Sequence, residues 1–280
     1  MLIPHGSKDK EMSEKEMRFG FGRNWASYIE KHFDENAAAD SKAALLSFLK
    51  RDTLDGSLFL DIGCGSGLSS LAALRSGAKR VFSFDYDLHS VETTKYLKQY
   101  IGNPSNWNVV QGSILDDAFV DSLEPADIVY AWGVLHHTGD VWHALENTRK
   151  LMRPEGQMYI ALYEQNVVSP SAEFWLDIKQ EYNRGNWFTK RRLELWYIWR
   201  FDLNKSVRNL PTLIRRIRSR TGRGMAYYTD LVDWVGGWPM QFVKLEDVQE
   251  WVKKNNMEII NLNYGKQANT EYLIQMIKSQ

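Results

Sequence analysis

The chain has 280 residues, 44% hydrophobic and 25% charged, long enough to bury a sizeable core without staples. Its 35 basic and 35 acidic residues cancel, which argues against a protein that coats nucleic acid over its whole surface, and its single cysteine excludes an intrachain disulfide framework and a multi-thiolate metal site. No apolar run approaches the ~18 residues of a membrane span and no signal-peptide h-region opens the chain, so with one cysteine the expectation is a cytoplasmic protein without a transmembrane segment.

Residues 1–18 are polar and charged. Phe19-Gly20-Phe21-Gly22-Arg23-Asn24-Trp25 is an aromatic-glycine run, and Ala37–Leu49 has helical spacing. From residue 57 to 166, short apolar runs alternate with helical stretches. The predicted strands are Leu58–Ile62, Arg80–Phe84, Trp107–Val110, Asp127–Trp132 and Gln157–Tyr163. The predicted helices are Ser69–Ser76, Ser90–Tyr100 and Val141–Leu151, the last stopped by Arg153-Pro154-Glu155-Gly156. Such alternation implies an α/β fold with a doubly wound, Rossmann-like, mostly parallel sheet and helices on both faces.

From 167 to 244 the alternation breaks into a helical insertion. One helix is predicted through Leu193, Trp196, Leu203 and Val207, interrupted by Pro211, and a shorter helical face follows through Leu213, Ile214 and Ile217. Leu245–Asn255 predicts a closing helix, and Glu258–Leu262 and Tyr272–Ile277 the last two of seven strands. The expected organisation is an N-terminal helical cap (1–56), a core (57–166), the insertion (167–244) and a closing core segment (245–280). The insertion holds six of the eleven tryptophans, and residues 184–224 carry twelve basic and two acidic side chains. The neutral total therefore hides a local charge of +10 against −10 elsewhere.

Asp61-Ile62-Gly63-Cys64-Gly65-Ser66-Gly67 follows a strand and opens a helix. Glycines let the backbone turn and approach a ligand, and the helix N-terminus offers unpaired N–H groups. Leu68 stands where a dinucleotide fingerprint wants glycine, which disfavours hydride-transfer cofactors. Asp85, twenty-two residues after Gly63 and at the end of the second strand, is placed to accept hydrogen bonds from ribose hydroxyls. The alternative is a helix cap, for which Asp87 is the more natural residue. Cys64 reads as a small residue tolerated beside glycines rather than a reactive thiol.

The segments DIGCGSG (61–67), VFSFDYD (81–87), NVVQGSI (108–114), ADIVYAWGVLHH (126–137) and LMRPEGQMYIALY (151–163) together resemble the class I S-adenosylmethionine (SAM)-dependent methyltransferases. Within that superfamily the chain looks most like the small-molecule branch typified by ubiquinone-pathway O-methyltransferases, and it is more similar still to bacterial proteins that share a GxNW start and a DWVGGWP segment. The resemblance implies SAM as cofactor, with S-adenosylhomocysteine (SAH) as product, and no metal. Asp61 and the backbone of Gly63, Gly65 and Gly67 would hold the methionine end, Asp85 the ribose, Tyr86 the adenine face, and Ser113 and Ile114 the adenine edge. Many relatives carry an acidic residue where this chain has Ser113. Trp132 would border the methyl donor.

An alcohol or phenol acceptor gains from a general base, whereas an amine needs mainly positioning. His136, just beyond the fourth strand, is expected to face the acceptor as base, as positioning group or as structural hydrogen-bonding partner, with His137 beside it as a cap or supporting contact. Glu164 is the alternative base, and Tyr163 faces the acceptor with it. In the insertion, Trp196 and Trp199 read as core, while Tyr227, Tyr228, Trp234 and Trp238 read as substrate contacts, the tryptophans in a loop flanking Gly236-Gly237. Arg23 and Trp25 would fold over the cofactor mouth. The acceptor is expected to be a small molecule, including an anionic one held by the basic segment. That segment would equally suit a solvated face, a peripheral membrane contact or RNA. A tRNA or other polyanion is the alternative substrate, and a SAM-binding module without turnover the non-enzymatic alternative. The strand-four exit reads Ala131-Trp132-Gly133-Val134, not the motif of base amino-methylating enzymes, which disfavours nucleic acid.

Overall fold

The computed structural model describes Phe19 and residues 35–218, 227–266 and 268–277. Arg23 and Trp25 lie outside the described residues. Seven strands form one sheet: β1 (Leu58–Ile62), β2 (Arg80–Asp85), β3 (Trp107–Gln111), β4 (Ala126–Trp132), β5 (Met152–Tyr163), β6 (Met257–Lys266) and β7 (Asn269–Met276). Their order is β3-β2-β1-β4-β5-β7-β6, with β1 to β5 parallel and β7 antiparallel to both neighbours.

The first five strands match the expected ones to within a residue or two, except at the start of β5. Arg153-Pro154-Glu155-Gly156 lies inside that strand. The pairing with β4 jumps from Ala126↔Met152 to Ile128↔Gln157, so the extra residues bulge out. Arg153 pins the bulge through Asp127 at 3.1 Å and Glu124 at 2.9 Å.

Side chains alternate across the strands and build two cores. Leu60, Ile62, Val129, Ala131, Ile160 and Leu162 meet α5 (Val141–Lys150) and α10 (Leu245–Lys254) on one face. Phe59, Val81, Ile128 and Tyr159 meet α1 (Glu35–Leu49), α2 (Leu68–Arg75) and α3 (Leu88–Tyr100) on the other. Asp87 caps α3 by accepting from His89 N–H at 2.9 Å, as its position predicts. Two elements were too short for their period to register: α4 (Asp117–Asp121) and the 3₁₀ turn Leu135–His137.

Between β5 and α10 stand α6 (Ala172–Arg184), α7 (Trp187–Tyr197), α8 (Leu210–Arg218) and α9 (Tyr227–Gly236). The expected single helix through Val207 is shorter: α7 passes into a π turn at Ile198–Asp202 and ends there. Pro211 is the second residue of α8, where no intrahelical N–H is needed, so it starts that helix instead of interrupting one. The sequence does not predict α6, whose buried stripe of Ala172, Trp175, Lys179 and Tyr182 contains a lysine. Lys179 is fully buried, donates to the Trp234 carbonyl and lies 4.9 Å from the Trp234 ring centre. Burial lowers its pKa to about 7.

Trp234 thus sits on a helix, not in a loop. Trp175 organises the insertion core, its ring 5.0 Å from Trp234, 5.2 Å from Phe201 and 6.4 Å from Trp196. Trp199, expected in the core, is 45% exposed, because the π turn rotates it off the packed face. No helix among the described residues is long and apolar enough to cross a membrane.

Candidate active site

One cavity of about 1690 Å³ opens at the carboxyl ends of β1, β2 and β4, under the insertion. That exceeds the roughly 300–1,000 Å³ typical of a single-ligand site and leaves room for two reactants. The sheet supplies one wall. Asp61, Gly63, Gly65, Asp85, Tyr86, Ser113, Ile114 and Trp132 all line it, as expected. Gly67 is set back at the N-cap of α2 with φ +80°, where a Cβ would meet Thr94 at 2.9 Å.

Gly63 has φ +70°, and a Cβ there would lie 2.5 Å from both Val134 methyls. Gly63→Ala should therefore lower stability by about 1–3 kcal/mol, read as a drop in melting temperature. Adding Val134→Ala should restore only the steric part, because the left-handed backbone still costs roughly 1 kcal/mol for a residue with a Cβ.

Asp85 holds the glycine loop. One carboxylate oxygen accepts from Gly65 N–H at 3.0 Å and the other from Asp87 N–H at 2.9 Å. Desolvation raises its pKa to about 6 against the pull of those two bonds. Asp61 is fully buried, accepts from Ser70, and is raised to about 7, by desolvation first and by the Asp85 charge to a lesser extent. Ser70 spends its proton on Asp61, so Ser83 donates to Ser70 at 2.6 Å and Trp107 Nε1–H to Ser83 at 2.8 Å. This buried relay from β3 through β2 to α2 was not legible in the sequence, since its members are scattered over 46 positions from Asp61 to Trp107.

Both carboxylates bind protons more tightly in the folded state than in the unfolded chain. Their contribution to stability is present below about pH 4 and is lost as pH rises through about 6 to 7. Asp61→Asn should accordingly raise the melting temperature at pH 8 while weakening any ligand that needs the carboxylate. A lower melting temperature at pH 8 would contradict this electrostatic account.

The opposite wall comes from the insertion and the β4 and β5 exits. His137, Tyr163, Tyr227, Trp234 and Trp238 line it. His137 Nδ1 lies 2.7 Å from the Pro239 carbonyl oxygen. A carbonyl only accepts, so Nδ1 carries the proton and donates, and the neutral ring has its lone pair on Nε2.

His136, expected to face the acceptor, does not line the cavity. It is fully buried, its ring tilted against those of His137 at 4.4 Å and Tyr163 at 4.3 Å. Desolvation pushes its pKa well below the ordinary histidine value, holding the ring neutral. The 3₁₀ turn at 135–137 decides this: it turns Leu135 and His136 into the core and presents the next residue. Glu164 is also buried away from the cavity, its backbone N–H donating to the Ala268 carbonyl, its neighbours Tyr163 and Gln165 bonded to Val243, and one side-chain oxygen accepting from Asn166 N–H at 3.2 Å. Burial raises its pKa. Tyr228 points away from the cavity, its hydroxyl donating to Glu194 at 2.7 Å. Cys64 is buried with its thiol pKa raised, an inert small residue.

Two groups of wall residues escaped the sequence reading. Glu271 on β7 accepts from Trp132 Nε1–H at 2.6 Å, Asn263 at 2.6 Å and the Tyr159 hydroxyl at 3.1 Å, and so fixes the Trp132 ring. Only antiparallel pairing of β7 with β5 brings it there. Lys190, Tyr197, Asp202 and Arg216 come from the insertion, with Arg216 paired to Asp202 and Asp202 also accepting from Tyr227. Phe19, from the aromatic-glycine run, lines the same space and hydrogen-bonds Trp238 through its backbone at 3.0 Å. No metal-binding cluster of His, Cys, Asp or Glu occurs among the described residues.

A seven-stranded sheet of this order, with a glycine loop after β1 and an acid after β2, defines a class I methyltransferase fold. A family model described as a methyltransferase domain matches residues 31–207, and the chain belongs to that family. It is similar to a ubiquinone biosynthesis O-methyltransferase of Rhizobium rhizogenes, 33% identical over 141 residues, 50% of this chain and 52% of that one. It is also similar to a tRNA U34 carboxymethyltransferase of Methylococcus capsulatus, 29% identical over 107 residues, 38% and 32% of the two chains. The chain spans about half the length, or less, of these curated relatives. Among solved structures, the magnesium protoporphyrin IX methyltransferase of Synechocystis with bound SAH shares the fold at TM-score 0.54 and 11% identity, over 91% of this chain and 94% of that one.

Proposed function

We propose that the protein is a SAM-dependent methyltransferase acting on a small-molecule acceptor through oxygen or nitrogen. The observation that carries this reading is the continuity of the cavity, which joins the glycine-loop and Asp85 wall to the His137, Tyr163 and Trp234 wall in one space. The residues present fit the cofactor. Asp85 offers acceptors to two ribose hydroxyls, Tyr86, 56% exposed, offers a flat ring to adenine, and Gly133 has φ +73° with open space where a Cβ would stand. When bound, SAM supplies a methyl group already activated on a sulfonium. The chain then has to align the acceptor, exclude water and, for a hydroxyl acceptor, remove a proton. His137 Nε2 is the base in this reading, in place of His136 and Glu164. Tyr163 and Trp234, with ring centres 5.4 Å apart, would orient an apolar acceptor.

The acceptor wall carries Lys190 and Arg216 against Asp202, Asp230 and Asp233. Three carboxylates there favour an acceptor with hydroxyl or amine groups over the anionic one that the segment's net charge suggests, and over tRNA or another polyanion.

Calorimetric titration with SAM and with SAH tests the reading at its base: both should bind, and binding of neither would sink it. Cofactor affinity should rise as pH increases through about 6, where Asp85 ionises, and Asp85→Asn should flatten that dependence. A pH profile identical in the variant would remove Asp85 from cofactor binding.

A further inference from the structure

The strongest feature outside the active site is an apolar stripe facing outward on α8. Leu210, Ile214 and Ile217, 46%, 40% and 53% exposed, share one side of the helix. Val207, 70% exposed, continues the three-to-four-residue spacing into the preceding 3₁₀ turn. Lys205 and Arg208 precede α8 and Arg215 lies on another exposed side of it, all three paired with no carboxylate among the described residues. Elsewhere in the insertion Arg191, Arg192 and Arg216 are paired, with Glu194, Glu181 and Asp202. The inner side of α8 is already used, with Leu213 buried and Arg216 lining the cavity. Water-exposed aliphatic side chains in such a row ordinarily mark a contact surface.

We propose that this face of α8 docks on an anionic lipid bilayer. A helix with an apolar stripe and basic residues on its other exposed side and at its start lies in the plane of the headgroups, its aliphatic side chains in the acyl boundary and its cations reaching lipid phosphates. The stripe is aliphatic, which fits acyl chains, whereas single-stranded RNA is held by stacking bases on aromatic rings. Charge complementarity gives the orientation. The +10 of residues 184–224 is drawn to the surface while the −10 of the remaining chain is repelled.

The test is flotation of the full chain with phosphatidylglycerol/phosphatidylcholine vesicles and with phosphatidylcholine vesicles alone, at low and high salt, beside sedimentation velocity and a SAM titration. The chain should float with the anionic vesicles only. Ile214→Glu with Ile217→Glu, and separately Arg208→Glu with Arg215→Glu, should each reduce bound protein roughly tenfold, as should high salt. SAM affinity should stay at the wild-type value in both variants, which shows that they fold. Absence of flotation, equal flotation with neutral vesicles, or retention by both variants would overturn the proposal. So would a wild-type dimer that the isoleucine variant dissociates, or salt-sensitive RNA binding lost in the arginine variant, when flotation is absent. Failure of SAM binding by the wild-type chain would count against the methyltransferase reading alone, because flotation does not depend on it.

Discussion

Replacing His137 by alanine is expected to lower turnover about 100-fold on an alcohol or phenol acceptor, with the SAM dissociation constant within about twofold of wild type. The expectation rests on geometry. His137 lines the cavity, and its Nδ1–H donates to the Pro239 carbonyl at 2.7 Å, which holds the ring and leaves the lone pair on Nε2. His136→Phe is the control. His136 is fully buried and does not line the cavity, so an apolar ring of similar shape can take its place without touching the acceptor. That variant should keep its turnover. Steady-state rates on any hydroxyl acceptor that the wild-type chain methylates decide the matter. Normal turnover by His137→Ala, or a collapse confined to His136→Phe, would return the base to the position first expected.

Asp85→Ala should weaken SAM binding by about 1–3 kcal/mol, roughly 10- to 100-fold, through two losses at once. The ribose loses charge-assisted acceptors, and Gly65 and Asp87 lose the carboxylate that ties the loop to the next helix. Asp85→Asn keeps an acceptor for one of those N–H groups and should fall between alanine and wild type. Titrations with SAM and SAH measure both, and a dissociation constant unchanged in Asp85→Ala would remove the ribose assignment.

Much of the sheet wall could be read from the chain because its signals are local. The glycines after β1 meet their ligand space through backbone conformation, with φ +70° at Gly63 and +53° at Gly65. Asp85 lies one strand further on, and parallel register alone carries it beside the loop: Ile62 pairs with Phe84, and Gly63 N–H bonds the Phe84 carbonyl at 2.8 Å. Eight of the nine residues that the family resemblance assigns to the cofactor line one wall of the cavity. The aromatic, basic composition of residues 184–224 likewise pointed to the insertion, though not to its four helices, because Lys179 interrupts the apolar stripe of α6.

The acceptor side was decided by tertiary structure. Two adjacent histidines carry the same chemistry, and only the 3₁₀ turn determines that His136 enters the core while His137 meets the cavity. Tyr227 and Tyr228 are equally adjacent, and α9 turns one toward Asp202 and the cavity and the other toward Glu194. Glu271 reaches Trp132 across 139 positions because β7 runs antiparallel to β5. The opening neutrality of charge also changes meaning in three dimensions. The basic segment spends some of its arginines on internal carboxylates and, among the described residues, leaves others without a carboxylate partner near an apolar stripe. Glycine turns and strand–helix alternation are signals carried by neighbours in the chain, so the sequence alone determined the glycine loop and the strands that frame it. Which face of a turn or helix is buried depends on what packs against it from far away, and that only the tertiary structure decided.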